Sequence, residues 1–349
     1  MKGLTFAGER EVQMVEFPDP TPAAGEVVVE IRASGMCGSD LHAYRRPKGA
    51  TAGPRSPFHD GPLIGGHEPC GVVAAVGPGV PPALARVGDR VMVHHYAGCG
   101  ACNPCRSGWP QMCDCGAIHV YGNNDHGSHA PYLKVPAATL VALPEGLSFE
   151  AGAAISCGTG TAYGGLHRLG LGGHDTLAVF GQGPVGLAAT QLAKAMGARV
   201  IALDVSDERL ALAARFGADT TINPARVDPV EAIKAYTGGL GADVALDASG
   251  MAAARRSAVQ CLKAWGRVCL VGEGAELHVD VSPDLLRKQI TVMGSWTFST
   301  ILQSECARFV AERGVDVDAL FTHRWRLDEG AQAYRLFDQQ ACGKGVFVL

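Results

Sequence analysis

Two patterns of hydrophobic and polar positions divide the chain. Up to about residue 150, short apolar runs such as residues 27–31 and 72–76 are separated by turns rich in proline and glycine, which predicts a mainly antiparallel, barrel-like domain. From about Ala151, alanine-rich stretches with helical spacing alternate with short apolar runs, and this alternation predicts crossover units around a parallel sheet. After Trp296 the alternation ends, and we expect one more helix and a final strand that return to the first domain.

Size and charge limit the classes of function. A chain of 349 residues with 47% hydrophobic residues and a formal charge of −4 is long enough for two domains and too balanced to bind nucleic acid or a membrane surface through charge. It begins without the apolar run of a signal peptide and has no apolar stretch of membrane-spanning length. We therefore expect a cytoplasmic protein that acts on a small molecule.

A glycine pattern predicts a dinucleotide site. Gly181, Gly183 and Gly186, with Pro184 and Val185 between them, follow an apolar strand run and open a helix-like stretch. In this context the glycines allow a tight turn, close approach of the backbone to a pyrophosphate and close packing of helix on strand. The alternative is a plain glycine turn between a strand and a helix.

An acidic residue at the end of the next predicted strand bears on the choice of cofactor. Asp204 lies about twenty residues beyond the glycines, where a carboxylate accepts hydrogen bonds from ribose hydroxyls and repels a 2′-phosphate. This favours NAD over NADP, although Arg209 is a nearby cation that tempers the prediction. The alternative is that Asp204 caps a helix or lies in solvent, although Ser206 or Asp207 could provide the cap.

Five of the twelve cysteines fall in one short segment. Cys99, Cys102, Cys105 and Cys113 have the spacing C-x2-C-x2-C-x7-C within a loop that has few large aliphatic residues. Such a loop cannot be held together by burial, and four thiolates at this spacing predict a closed structural zinc site. Cys115 is interpreted as a bystander. The alternatives are four free thiols or an iron–sulfur cluster.

Cys37, His67 and Glu68 lie in glycine-rich motifs, but their separation in the chain carries little information alone. Together with the rest of the sequence, however, they resemble the zinc-containing medium-chain alcohol dehydrogenase family from end to end. The matching motifs are C-G-S-D-L-H at 37–42, G-H-E-P-C-G at 66–71, G-D-R-V at 88–91, the four-cysteine loop, C-G-T-G-T-A-Y at 157–163 and the glycine pattern at 181–186.

The resemblance implies a fold and a metal site. It implies an α/β chain with a GroES-like, mainly-β catalytic domain (residues 1–152 and 299–349) and a Rossmann domain with a doubly wound parallel sheet (153–298). It also implies that Cys37, His67 and Cys157 bind a catalytic zinc, so that each chain would hold two Zn²⁺ ions and NAD. Glu68 is expected beside this zinc rather than bound to it, and Asp40 is a candidate to orient His67.

The resemblance further implies a reaction and an assembly. Ser39 would take the proton of the alcohol and pass it through the nicotinamide ribose to His42, and the chain would form a homo-oligomer. A simple buried thiol at Cys157 and a solvent-facing His42 without a role are the alternatives.

The expected function is the reversible oxidation of an alcohol with hydride transfer to NAD, with secondary alcohols or polyols favoured. The loop cations Arg45, Arg46, Lys48 and Arg55 would suit a polyol or an anionic substrate, or lie in solvent. Two alternatives remain open: a zinc-independent quinone or enone reductase on the same fold, and a non-catalytic, zinc-stabilised nucleotide sensor. The other histidines, including His94, His95, His119, His126 and His129, are expected at loops or a pocket rim.

Overall fold

A computed structural model describes residues 1–47, 57–340 and 343–349. Its strands, in chain order, are β1 (Lys2–Gly8), β2 (Glu11–Glu16), β3 (Glu26–Gly35), β4 (Glu68–Val76), β5 (Arg90–Val93), β6 (Tyr96–Ala97), β7 (His119–Val120), β8 (Tyr132–Pro136), β9 (Leu140–Ala142), β10 (Thr176–Phe180), β11 (Arg199–Leu203), β12 (Thr220–Ile222), β13 (Ala242–Asp247), β14 (Leu262–Leu270), β15 (Thr291–Gly294), β16 (Phe321–Trp325) and β17 (Lys344–Val348).

The α-helices of the described residues, in the same order, are α1 (Asp40–Arg45), α2 (Asn103–Arg106), α3 (Phe149–Ile155), α4 (Gly158–Leu169), α5 (Pro184–Ala195), α6 (Asp207–Arg215), α7 (Pro229–Tyr236), α8 (Ala252–Gln260), α9 (Thr300–Arg313) and α10 (Gly330–Asp338). Among these residues, no helix is long and apolar enough to span a bilayer.

The chain forms two compact units. The first contains Met1–Cys157, Ser299–Glu312 and Val317–Leu349, and the second contains Gly158–Phe298 and Arg313–Asp316. Compared with the predicted boundaries, the first unit extends to Cys157, because the Ser156 hydroxyl after α3 donates a 2.9 Å hydrogen bond to the Pro69 carbonyl on β4.

A seven-stranded sheet organises the first unit. Its order is β16-β17-β3-β4-β5-β9, with β8 also paired to β3, and most of its pairs are antiparallel. Alternating apolar residues of β3, including Val27, Val29 and Ile31, are buried against a shared core, as expected for strands with one face inward.

A second cluster in this unit joins the two ends of the sequence. Phe6 of β1, Tyr334 of α10 and Phe347 of β17 pack together, with the Phe6 and Tyr334 rings edge to face at 4.8 Å. The C-terminal tail therefore completes the core of the first unit.

The second unit is built on a parallel sheet of order β12-β11-β10-β13-β14-β15. Strand β10 is buried over its whole length, which explains why it reads as a continuous apolar run rather than an alternating one. This strand order is that of a doubly wound dinucleotide-binding fold. The predicted fold class, a GroES-like domain with a Rossmann domain, is confirmed.

Candidate metal centres and nucleotide site

Antiparallel pairing brings two candidate metal ligands together in the first unit. Strands β3 and β4 pair with Gly35 opposite Glu68, so Cys37, just beyond the end of β3, lies near His67, just before the start of β4. A Cβ atom on Gly35 would overlap the Glu68 carboxylate, so this close approach requires glycine. Cys157 joins them because Ser156 is anchored to β4.

The four side chains Cys37, His67, Glu68 and Cys157 each offer a ligand atom within 4.8 Å of the others. The sulfur atoms of Cys37 and Cys157 are 3.9 Å apart. Two thiols and an imidazole with a neighbouring carboxylate are donors that suit zinc. The residues present therefore fit the metal that the sequence predicts.

Charge at the site lowers the pKa of Cys37, which favours its metal-binding thiolate, and raises the pKa of His67. The pKa of the Cys37 thiol lies well below its ordinary value, chiefly because Cys157 hydrogen-bonds to it and further because of the nearby His67 charge. Burial alone would lower the pKa of His67, but the charges of Asp40 and Cys37 raise it well above its ordinary value. The site thus accumulates negative charge around the imidazole, as a cation-binding site requires.

Glu68 is held by a lysine from the last strand. Lys344 Nζ lies 2.5 Å from Glu68 Oε2 and donates a second hydrogen bond to the Met36 carbonyl at 3.3 Å. Both charged side chains are buried, and Glu68 Oε1 has no hydrogen-bond partner among the described residues. Burial raises the pKa of Glu68 to about 7 against the opposing attraction of Lys344. An orphaned carboxylate oxygen beside two thiols is a further feature that a bound cation would satisfy.

Asp40 contacts His67 as the sequence suggested. Its Oδ1 lies 2.9 Å from His67 Nδ1, and it is almost fully buried. This contact leaves His67 Nε2 as the nitrogen available to a metal.

Ser39 and His42 lie at the start of α1. The Ser39 hydroxyl is 3.2 Å from His67 Nε2, and His42 is exposed to solvent one helical turn after Ser39. A hydroxyl at the metal-facing nitrogen and an exposed imidazole nearby are the arrangement that a proton relay needs.

All five cysteines of the short segment converge. The thiols of Cys99, Cys102, Cys113 and Cys115 offer sulfur atoms within 4.8 Å of one another, and Cys105 hydrogen-bonds to the first three. Backbone N–H groups of Ala101 and Cys102 donate to the Cys99 sulfur and lower the pKa of that thiol to about 6. The loop is largely exposed, so burial supplies little cohesion.

Cys115 thus lies closer to the other thiols than its interpretation as a bystander suggested. A tetrahedral zinc takes four ligands, so Cys105 and Cys115 compete for the fourth position beside Cys99, Cys102 and Cys113. The assignment of Cys105 as the fourth ligand, which rests on the cysteine spacing, remains a prediction.

The glycine turn lies between β10 and α5 of the second unit. Gly181 has φ of +90°, and a Cβ atom on Gly186 would overlap the Gly181 carbonyl, so both positions require glycine for the turn itself. A Cβ atom on Gly183 would meet no described protein atom within 4 Å, so its glycine instead keeps the backbone open to a ligand. Pro184 and Val185 begin α5, whose N-terminal N–H groups can bind phosphate.

Asp204 directly follows β11 and contacts the glycine turn. Its Oδ2 accepts a 2.7 Å hydrogen bond from the Gln182 N–H and lies 3.8 Å from Arg209, while its Oδ1 accepts from the Ser206 N–H. Ser206, not Asp204, caps α6. The carboxylate is thus fixed beside the turn, where each oxygen keeps a further lone pair for a ribose hydroxyl.

Three of the remaining histidines lie in loops, as expected, but they are buried in the first unit and not exposed at a rim. His94, His95 and His129 are buried, and burial lowers the pKa of each. The His95 ring is 5.2 Å from that of His67, and its Nδ1 donates to the Ser156 carbonyl. Sequence reasoning missed these residues, and also Tyr334 and Lys344, because no local motif marks them.

Two of the four cations considered as substrate contacts, Arg45 at the end of α1 and Arg46 directly after it, have structural partners. Arg45 pairs with Asp338, and Arg46 donates to the Phe6 carbonyl, so these two side chains stabilise the first unit. Lys48 and Arg55 lie outside the described residues.

Comparison with known proteins supplies family matches for both parts of the chain. The alcohol dehydrogenase GroES-like domain matches residues 23–145, and the zinc-binding dehydrogenase family matches residues 184–313.

Three relatives match nearly the whole chain. An uncharacterized zinc-type alcohol dehydrogenase-like protein of Escherichia coli (strain K12) is 40% identical over 99% of this chain and 98% of its own. An alcohol dehydrogenase of Geobacillus stearothermophilus is 36% identical over 87% of each chain. An L-threonine 3-dehydrogenase of Symbiobacterium thermophilum is 32% identical over 95% of this chain and 93% of its own.

Solved structures share the fold over the full length. An alcohol dehydrogenase from Thermus sp. ATN1 superposes with a TM-score of 0.90 at 30% identity, covering 100% of this chain and 99% of that one. An Escherichia coli CFT073 alcohol dehydrogenase complexed with NADH superposes with a TM-score of 0.87 at 29% identity and the same coverage of both chains. A zinc-binding dehydrogenase from Sinorhizobium meliloti 1021 bound to NADP superposes with a TM-score of 0.88 at 26% identity, again with the same coverage of both chains.

Proposed function

The chain belongs to the zinc-containing medium-chain dehydrogenase family, and we propose that it is an NAD-dependent alcohol dehydrogenase. Its substrate would be a secondary alcohol or polyol, oxidised reversibly to the ketone. The observation that carries the proposal is the convergence of Cys37, His67 and Cys157 in one cluster. A zinc-independent quinone or enone reductase on this fold has no need of such a cluster.

The residues of the first unit divide the chemistry of alcohol oxidation among them. Cys37, His67 and Cys157 would hold zinc with a fourth position open, and the bound metal supplies a Lewis acid that lowers the pKa of an alcohol hydroxyl. Ser39, beside His67 Nε2, accepts the hydroxyl proton, and the exposed imidazole of His42 exchanges a proton with water.

The glycine turn of the second unit would bind the pyrophosphate of the cofactor. Gly181, Gly183 and Gly186 leave the backbone open at the start of α5, and Asp204 would accept hydrogen bonds from the ribose hydroxyls. The fixed negative charge of Asp204 favours NAD over NADP, even though similar structures hold either nicotinamide cofactor. A bound nicotinamide supplies the hydride acceptor.

The substrate class has two sources of support. Relatives named as alcohol and threonine dehydrogenases are consistent with it, since the 3-hydroxyl of threonine is a secondary alcohol. In addition, Arg45 and Arg46 are engaged in structural contacts, which argues against their recruitment by an anionic substrate.

Zinc analysis and a substrate panel test the proposal together. We expect two zinc ions per chain and NADH formation with secondary alcohols or polyols, ahead of primary alcohols and amino alcohols. Cys157→Ala should lose turnover and one zinc ion while the four-cysteine zinc stays. One zinc per chain with no alcohol-dependent NADH formation would instead identify a nucleotide sensor, and full activity in Cys157→Ala would mean that the third ligand is misassigned.

Assembly and compartment are also proposed. Strand β15 ends the sheet of the second unit, and Val292 on this edge is 37% exposed, with Leu286 61% exposed nearby in sequence. An apolar sheet edge is a natural surface for pairing with a second copy, so we propose a homo-oligomer, to be checked by analytical ultracentrifugation. Two thiol clusters held as metal ligands suit the reducing cytoplasm.

A further inference from the structure

A buried chain of hydrogen bonds leads away from His67 into the core of the first unit. It begins at Asp40, whose Oδ1 contacts His67 Nδ1 at 2.9 Å. The other oxygen of Asp40, Oδ2, accepts from the Cys37 N–H at 2.9 Å and from the Tyr334 hydroxyl at 3.0 Å. One carboxylate therefore connects two of the three proposed zinc ligands to helix α10.

The chain continues beyond Tyr334. Its hydroxyl lies 2.6 Å from His129 Nε2, and His129 Nδ1 lies 2.7 Å from the Ser34 hydroxyl. The Ser34 hydroxyl in turn lies 2.6 Å from that of Ser128. Tyr334, His129, Ser34 and Ser128 are all fully buried.

The direction of every hydrogen bond in this chain is fixed. An ionised carboxylate only accepts, so Tyr334 must give its single hydroxyl proton to Asp40. The Tyr334 oxygen can then only accept, which requires His129 to carry its proton on Nε2. A neutral His129, consistent with a pKa that burial lowers to about 4, has a bare Nδ1, so Ser34 donates to it. Ser34 then accepts from Ser128.

This polarity has a consequence for the metal site. All donors point toward Asp40, and successive hydrogen bonds of one direction strengthen one another in a buried environment. Asp40 is held in one orientation, and it fixes the proton of His67 on Nδ1. The Nε2 lone pair of His67 is thereby aimed at the thiol cluster.

We infer that Tyr334 and His129 are positioning residues for the metal ligand His67, acting through Asp40 from the C-terminal helix and the segment before β8. The inference rests on the proposed function, because it takes His67 to be a zinc ligand. Edge-to-face packing holds the two rings, with Phe6 against Tyr334 and Phe347 against His129, both at 4.8 Å.

Tyr334→Phe tests the inference, because it removes one hydroxyl and keeps the ring in its packing. Tyr44→Phe is the matched control: Tyr44 is buried in the same cluster, 5.7 Å from the Tyr334 ring, and its hydroxyl belongs to no hydrogen bond among the described residues. Ser34→Ala is a milder second variant, since it removes the donor to His129 Nδ1 and the acceptor for Ser128 but leaves the Tyr334 hydroxyl on Asp40.

The measurement is the affinity of the full-length protein for zinc at the Cys37 site, obtained by competition with a chelator. Loss of a group that orients a metal-binding histidine typically weakens metal binding about 10- to 100-fold. We expect a loss in this range for Tyr334→Phe, a smaller loss for Ser34→Ala and none for Tyr44→Phe. The zinc of the four-cysteine loop should be unaffected and serves as an internal reference.

Cobalt substitution adds a readout that a packing defect would not change. The d–d bands of Co²⁺ at the Cys37 site report ligand geometry, and Tyr334→Phe should shift them while Tyr44→Phe should not. Parent affinity and spectrum in both Tyr334→Phe and Ser34→Ala would overturn the inference, and so would equal losses in Tyr334→Phe and Tyr44→Phe. Failure of the proposed function is distinguishable, because the parent protein would then lack the second zinc ion.

Discussion

Replacing Lys344 by methionine should destabilise the first unit strongly. The side chains are similar in length, so the main change is loss of the charge that faces Glu68 across 2.5 Å. At an effective dielectric constant of about 20, that attraction amounts to about 7 kcal/mol before the cost of removing both groups from water. Breaking a buried pair by deleting one partner typically costs about 3–5 kcal/mol, because a buried charge is left without compensation.

The chain offers a matched exposed pair as the control. Lys134 on β8 lies 3.5 Å from Glu26 on β3, with side chains 44% and 27% exposed, against 2% and 0% for Lys344 and Glu68. Solvent screens such a pair, and its loss typically costs about 0–1 kcal/mol. Lys134→Met should therefore change stability far less than Lys344→Met, although both remove a cross-strand lysine.

Thermal unfolding of the parent protein, the two lysine variants and a double variant, Lys344→Met with Glu68→Gln, measures these differences in stability. For a unit of roughly 200 residues, about 1 kcal/mol shifts the melting temperature by about 2–4 °C, so we expect a fall of about 6–20 °C for Lys344→Met and at most about 4 °C for Lys134→Met. Adding Glu68→Gln to Lys344→Met removes the uncompensated charge and should recover most of the loss. Equal shifts for the two lysine variants, or no recovery in the double variant, would refute the reasoning.

Two further predictions concern the other candidate sites. Cys105→Ser should release the zinc of the four-cysteine loop while Cys115→Ser retains it, as judged by zinc content after chelation; the reverse result would make Cys115 the fourth ligand. Asp204→Asn should raise the KM for NAD by about 10- to 100-fold, since a hydrogen bond to a charged group contributes about 1.5–3 kcal/mol, and should reduce the discrimination against NADP. Unchanged constants for both cofactors would mean that Asp204 serves only the Gln182 and Ser206 N–H groups.

Local patterns predicted those parts of the molecule in which neighbours in sequence are neighbours in space. The apolar run at residues 176–180 is strand β10, and the glycine turn after it requires Gly181 and Gly186 for steric reasons that the spacing already expresses. Cys99 and Cys102 lie in one loop for the same reason. In each case the residues that determine the local structure lie within the same short segment that forms it.

Local sequence patterns could not predict contacts between residues that are far apart in the sequence. His129 and Tyr334 are 205 positions apart, and Glu68 and Lys344 are 276 apart, yet each pair is in direct contact. A buried lysine or histidine carries no local signal, because the same residue types are usually exposed. Only the pairing of β17 with β3 and the docking of α10 bring these side chains to the metal ligands.

Because Lys344 of β17 and Tyr334 of α10 contact residues beside the proposed zinc ligands, the C-terminal tail is a structural part of the metal site. Without β17, Glu68 would be a buried carboxylate without its lysine, and without α10, Asp40 would lose the hydroxyl that completes its hydrogen bonds. Both losses affect residues that touch the zinc ligands, and each leaves a polar group buried without a partner. Such a group costs about 1–3 kcal/mol of stability, and a charged group costs more. Residues 1–157 therefore contain every proposed catalytic zinc ligand, yet they lack the groups that make burial of those ligands and their neighbours stable.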